Sequence, residues 1–199
     1  MGAAGAPEAD SAEVQMKISS RSAAALLSLL FALPLSGKPA GFRLWSPDIK
    51  GATLPIDQVF NGMGCTGKNI SPALHWSGAP SATKSFAVTV YDPDAPTGSG
   101  WWHWTVYNIP AVISSLPRNA GSGAGLPAGA VQGTTDFGKP GFGGACPPKG
   151  DKPHRYFFTV YALNVPSIDV PASASAANVG FNLHAHTIGK AGFVARYGR

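Results

Sequence analysis

Charge is scarce in this sequence. Asp, Glu, Lys and Arg make up 13% of its 199 residues, and the fifteen basic and ten acidic side chains are scattered singly, for a formal net charge of +5. Without a clustered basic stripe, a nucleic-acid partner is not expected. Cysteine is scarcer still, with only Cys65 and Cys146, too few for a thiolate metal centre or a disulfide framework. Nor is there an apolar run of the ~20 residues that a permanent membrane helix needs. What abounds is glycine, 25 residues, and proline, 18, which break long helices and exclude a bundle or a coiled coil. With 44% hydrophobic residues the chain is well away from disordered compositions, and its length suits one domain.

Lys17 and Arg21 precede an apolar stretch from Ala23 to Leu35, followed by small residues. That order matches a signal peptide over 16–40, with cleavage after Gly37 or Ala40. Residues 1–15 fit neither a charged leader nor a domain, and read as an over-extended gene start. The expected location is periplasmic or secreted. Export would let Cys65 and Cys146 persist as one bridge closing a loop of about 80 residues, worth on the order of 4 kcal/mol. Two free thiols are the alternative. Their neighbours, GMGCTG and GGACPPKG, place both on connections rather than in the core.

From Gly41 onward no repeat or linker divides the chain. Runs rich in β-branched and aromatic residues predict strands at Phe42–Trp45, Ala73–Trp76, Ser85–Tyr91, His103–Ile109 and Arg155–Leu163. In the third, Phe86, Val88 and Val90 share one face and should be core. The last is so apolar that it should be covered on both sides, favouring a sandwich over an open sheet. Ala172 to about Asn182 can form one short helix, ahead of a final strand over Ile188–Tyr197. The Gly-rich chain between Leu116 and Pro153 is long enough to suggest a functional wall.

Three stretches could carry chemistry. The turn Asp92-Pro93-Asp94-Ala95-Pro96 is stiffened by two prolines and holds two carboxylates in fixed directions, although Asp92 could simply cap its own turn. In Gly100-Trp101-Trp102-His103-Trp104, alternation puts Trp102 and Trp104 on one face and Trp101 and His103 on the other, so His103 sits in an apolar wall, as a binding group or as a satisfied core histidine. His154-Arg155-Tyr156 directs an imidazole and a phenol to one side, suited to an anion's oxygens or to plain cross-strand packing. His184 and His186 lack a completing ligand, so no metal is expected. No nucleophile elbow, P-loop or dinucleotide fingerprint is present, and neither enzymatic turnover nor a cofactor is expected.

Taken together, VFNGMGCTGKNISPALHW, TKSFAVTVYDPDAPTGSGWWHWTVYNIP and TDFGKPGFGGACPPKGDKPHRYFFTVYAL resemble the phosphatidylethanolamine-binding protein (PEBP) family, in particular its bacterial Raf-kinase-inhibitor-like branch. The resemblance spans residues 41–199. It implies an all-β fold, a β-sandwich around a large central antiparallel sheet with one or two short peripheral helices. It also implies a cofactor-free anion pocket lined by Asp92, Asp94, Pro96, His103, Pro148, His154 and Tyr156. Such a pocket accepts phosphate-like groups, including phospholipid headgroups, with imidazole and phenol donors on the anion and Asp92 orienting a histidine. Paired cysteines at these places are similar to those of exported members. Trp102 stands where eukaryotic members often have a second histidine, and kinase inhibition transfers poorly. A protein partner is left open. The competing readings are a periplasmic hydrolase using His103 or His154, and a protease inhibitor acting through residues 118–130.

Overall fold

The computed structural model describes residues 41–199; the segments read as an over-extended start and a signal peptide lie outside them. The chain forms strands β1 (Arg43–Trp45), β2 (Asn61–Gly62), β3 (Cys65–Thr66), β4 (Leu74–Ser77), β5 (Ser85–Asp92), β6 (Trp101–Pro110), β7 (Ser115–Leu116), β8 (Val131–Gln132) and β9 (His154–Leu163), then helix α1 (Ala176–His186) and strand β10 (Thr187–Tyr197). Five strands make a central antiparallel sheet in the order β10-β9-β5-β6-β8, three make a smaller sheet, β1-β4-β7, and β2 and β3 pair as a minimal hairpin. The expected all-β architecture is the one adopted.

Phe86, Val88 and Val90 of β5 join Trp104, Val106, Phe158 and Val160 in a core closed by Leu44, Leu74, Trp76 and Leu116 of the smaller sheet. The opposite face is covered over part of its length, where Ala87, Tyr107 and Leu163 pack against Ile168, Val170 and the α1 residues Val179 and Leu183. With 11 residues, α1 is about 16 Å long and does not cover the rest. On β9, His154, Tyr156, Phe158, Val160 and Ala162 alternate into the interior and Leu163 is buried on the α1 side, while Arg155, Phe157, Thr159 and Tyr161 stay half-exposed. The expectation of cover on both sides of this strand is corrected accordingly.

The helix begins later than its composition suggests. A turn closed by the Ala174 N–H on the Pro171 carbonyl precedes it, and the Ser175 hydroxyl then accepts the Asn178 N–H at 3.2 Å as an N-cap.

Strand β6 departs from simple alternation. Val90 pairs with Trp104 but Tyr91 pairs with Trp102, so His103 is the extra residue of a β-bulge. Trp104 consequently enters the core, while Trp102 lies on the other face beside Tyr91 and Phe157. The predicted common face for Trp102 and Trp104 is thus corrected.

Because β5 runs antiparallel to both neighbours, its last residues lie beside the first residues of β6 and β9. The pairs Asp92 with Trp101 and Tyr91 with Phe157 record this. Sheet topology alone brings the DPDAP, WWHW and HRY stretches to one end of the sheet.

Candidate functional site

At that end the sheet opens into a cavity of about 280 Å³ whose walls include Asp92, Pro96, His103, Pro148, His154 and Tyr156. Asp92 is buried and makes two bonds. Its Oδ1 accepts the Asp94 N–H at 2.8 Å, and its Oδ2 accepts Nδ1–H of His154, also at 2.8 Å. Turn-capping and histidine orientation are thus done by the same carboxylate. The other ring nitrogen of His154 lies 3.4 Å from Asp151 Oδ2.

His103, buried in the bulge, places Nδ1 2.7 Å from the Gly143 carbonyl oxygen. A carbonyl only accepts, so Nδ1 carries the proton. Burial pushes this imidazole below its ordinary pKa, against the opposing pull of the Gly143 carbonyl and of Asp92. The ring is therefore neutral, and Nε2, which has no protein hydrogen bond, presents a lone pair. The expected second imidazole donor is instead an acceptor.

Tyr156 is 1% exposed and its hydroxyl has no hydrogen-bond partner. Burial, with Asp92 adding to it, raises the phenol's pKa, so it keeps its proton and remains a donor. Its ring meets His103 edge-on at 5.1 Å.

Asp94 is not part of this wall. Arg155 alternates to the opposite side of β9 from His154 and Tyr156 and draws Asp94 with it. Nη2 donates to Oδ1 at 2.6 Å, Nε to Oδ2 at 2.9 Å, and the Arg155 backbone N–H to Oδ2 at 2.8 Å. The guanidinium lowers the Asp94 carboxyl to about 2. The carboxylate lines a separate open cleft with Lys152, Arg155 and Arg196, which corrects its placement in the pocket.

The remaining wall includes Met63, Thr97, Trp101, Phe137, Cys146 and Pro147. Cys65 and Cys146 are bridged. Cys65 is buried in β3 rather than lying on a connection, and Cys146 fixes the loop that carries Pro147 and Pro148. Asn69, unremarked in the sequence, holds the opposite loop. Its Nδ2 donates to the Phe142 carbonyl at 3.2 Å and its Oδ1 accepts the Gly144 N–H at 2.6 Å. This fixes the Gly143 carbonyl that sets the tautomer of His103. A side chain at Gly143 would collide with the Phe137 ring, and one at Gly144 with the backbone at Gln58 and Val59. Trp101 could have been inferred from its place beside His103; for Asn69 no local signal exists.

The model of one protein family, described as phosphatidylethanolamine-binding protein, matches residues 46–198. The chain belongs to the PEBP family. Among its PEBP relatives, UPF0098 protein YbcL of Escherichia coli K12 is 57% identical over 167 residues, 82% of this chain and 91% of YbcL. UPF0098 protein YbhB of the same organism is 55% identical over 157 residues, 78% of this chain and 99% of YbhB. The crystal structure of YbcL, described as a new member of the mammalian PEBP family, superposes with a TM-score of 0.78 at 58% identity, covering 80% of this chain and 99% of that one. A PEBP homologue from Chlamydia trachomatis gives 0.66 at 31% identity, covering 80% of this chain and 98% of its own. The fold is therefore the PEBP fold. Among the described residues no helix is long and apolar enough to cross a membrane.

Proposed function

We propose that this PEBP chain is an exported binding protein whose cavity accepts a small phosphate-bearing group and does not turn it over. The observation that carries the reading is the buried Tyr156 hydroxyl, a donor without an acceptor, in a cavity whose wall also holds His103, His154 and the His154-bonded Asp92 among prolines and aromatic rings. A buried unpaired hydroxyl costs about 1–3 kcal/mol, and a guest's oxygen would relieve that cost. The cavity is at the small end of ligand sites, which suits a headgroup rather than a whole lipid.

Binding rather than hydrolysis is favoured by what the wall offers as nucleophiles. Its sulfur at Cys146 is in a disulfide, and its hydroxyl at Thr97 donates to the Gly100 carbonyl at 2.5 Å. The Cys65–Cys146 disulfide favours an oxidising compartment. Residues 118–130, the alternative inhibitory loop, are tied down where the Gly121 N–H donates to Ser71 Oγ at 2.8 Å.

Titration calorimetry of the purified protein with phosphate and phosphoethanolamine tests this. Saturable heat is expected, lost in His103→Ala and His154→Ala variants that still fold. Absence of heat with every phosphate compound, or steady release of phosphate from a monoester, would overturn the reading.

A further inference from the structure

The cavity wall leaves two hydrogen-bonding atoms without protein partners, and they are of opposite kind. Tyr156 supplies a hydroxyl donor. His103, with its Nδ1 proton directed to the Gly143 carbonyl, supplies an acceptor at Nε2. Among the described residues the lining includes no Lys or Arg, and its carboxylate is Asp92. A fully ionised phosphate would place an oxygen against a lone pair, close to a buried carboxylate, with no lysine or arginine in the wall to offset either. A guest that both accepts and donates meets both atoms.

Resting on the binding function proposed above, we infer that the cavity selects a phosphate group that still carries one proton, a monoester or inorganic phosphate with a free P–OH, and discriminates against phosphodiesters. The P–OH donates to His103 Nε2, and a non-protonated oxygen accepts from Tyr156. A diester has acceptor oxygens but no O–H, so it leaves the His103 lone pair facing an anionic oxygen. His103 is thus the specificity-determining residue, and Asn69 a positioning residue acting through the Gly143–Gly144 loop.

Every element around His103 bears on its charge. Asp92 at the end of β5 and Asp136 on the loop before Gly143 both act on its imidazole. His154 and Tyr156 face it from β9, and Asp151 stands behind His154. Asp92 is already bonded to His154 and the Asp94 N–H.

The test compares phosphoethanolamine, a monoester, with glycerophosphoethanolamine, the matching diester, by calorimetry of the oxidised protein at pH 5.5 and 7.5. A phosphomonoester's second pKa is near 6, so the protonated fraction, and with it the apparent affinity, should fall about twenty-fold between these pH values. The diester should bind weakly at both. Inorganic phosphate distinguishes recognition of the anion alone from recognition of the whole headgroup, and should show the same downward trend with pH. Diester affinity equal to or above that of the monoester, or monoester affinity that is flat or rises with pH, would overturn this inference while leaving phosphate binding intact. Failure of all three compounds to bind would overturn the binding function as well.

Discussion

Tyr156 carries a conflict between stability and binding that is confined to one atom. Its ring belongs to the core beside Phe158 and Val160, while its hydroxyl is buried without a partner. Tyr156→Phe keeps the packing and removes the orphan, so the empty protein should gain about 1 kcal/mol, read from urea denaturation. The same variant should bind phosphoethanolamine about tenfold more weakly, since one hydrogen bond to a charged guest is lost. Loss of stability together with unchanged binding would show that the hydroxyl is satisfied elsewhere. His103 illustrates the complementary case, in which backbone geometry rather than residue type decides whether an imidazole donates or accepts.

At the scale of elements, the start of β9 separates two environments by simple alternation. His154 and Tyr156 point to the cavity, and Arg155 points away and pairs with Asp94 across the turn after β5. The pair also pins that turn, because Asp94 receives the Arg155 backbone N–H. The folded-state pKa of Asp94, about 2, lies below the ordinary carboxylate value near 3.9, so the unfolded chain binds the proton more readily. The stabilisation is therefore complete above pH 4 and disappears as pH falls through 2. Half of the pair is solvent-screened, with Arg155 42% exposed, so Asp94→Asn should cost only about 1 kcal/mol at pH 7. Denaturation midpoints of the two proteins should converge near pH 2, and a constant gap would sink the assignment. The bulge at His103 is the other decisive local device. It turns a regular strand into one that buries both His103 and Trp104 while sending Trp102 to the open face.

For the whole molecule, the strongest tie outside the sheets is the bridge between residues 81 apart in sequence. It joins the β2–β3 hairpin to the loop bearing Pro147 and Pro148, two walls of the cavity. Arg199 reinforces the same junction, with Nε donating to the Pro147 carbonyl and Nη1 to the Gly64 carbonyl, each at 2.7 Å. Replacing both cysteines by serine should lower stability by about 4 kcal/mol in the chain-entropy account, measured by urea unfolding against the oxidised protein. Ligand affinity should fall as well, because the released loop no longer holds its wall in place. A loss of stability without any loss of affinity would show that sheet packing and Arg199 suffice to hold the cavity.

By itself the sequence determined those features that depend on local pattern. Period-two alternation marked the long strands and set Phe86, Val88 and Val90 in the core, and the spacing of His154 and Tyr156 set their shared face. Proline and glycine content excluded long helices, and motif order carried the family. Two-residue strands such as β7 and β8 have no period to detect, and the cover over β9 depends on where α1 happens to end. The tertiary structure alone decided which groups the wall contains and what they can do. Arg155 removes Asp94 from it, the bulge brings His103 in, and Asn69 fixes through a distant loop which ring nitrogen bears the proton. Hydrogen-bond partners far apart in the chain leave no periodic trace in it, so the polarity of the cavity becomes readable only once the chain has closed around it.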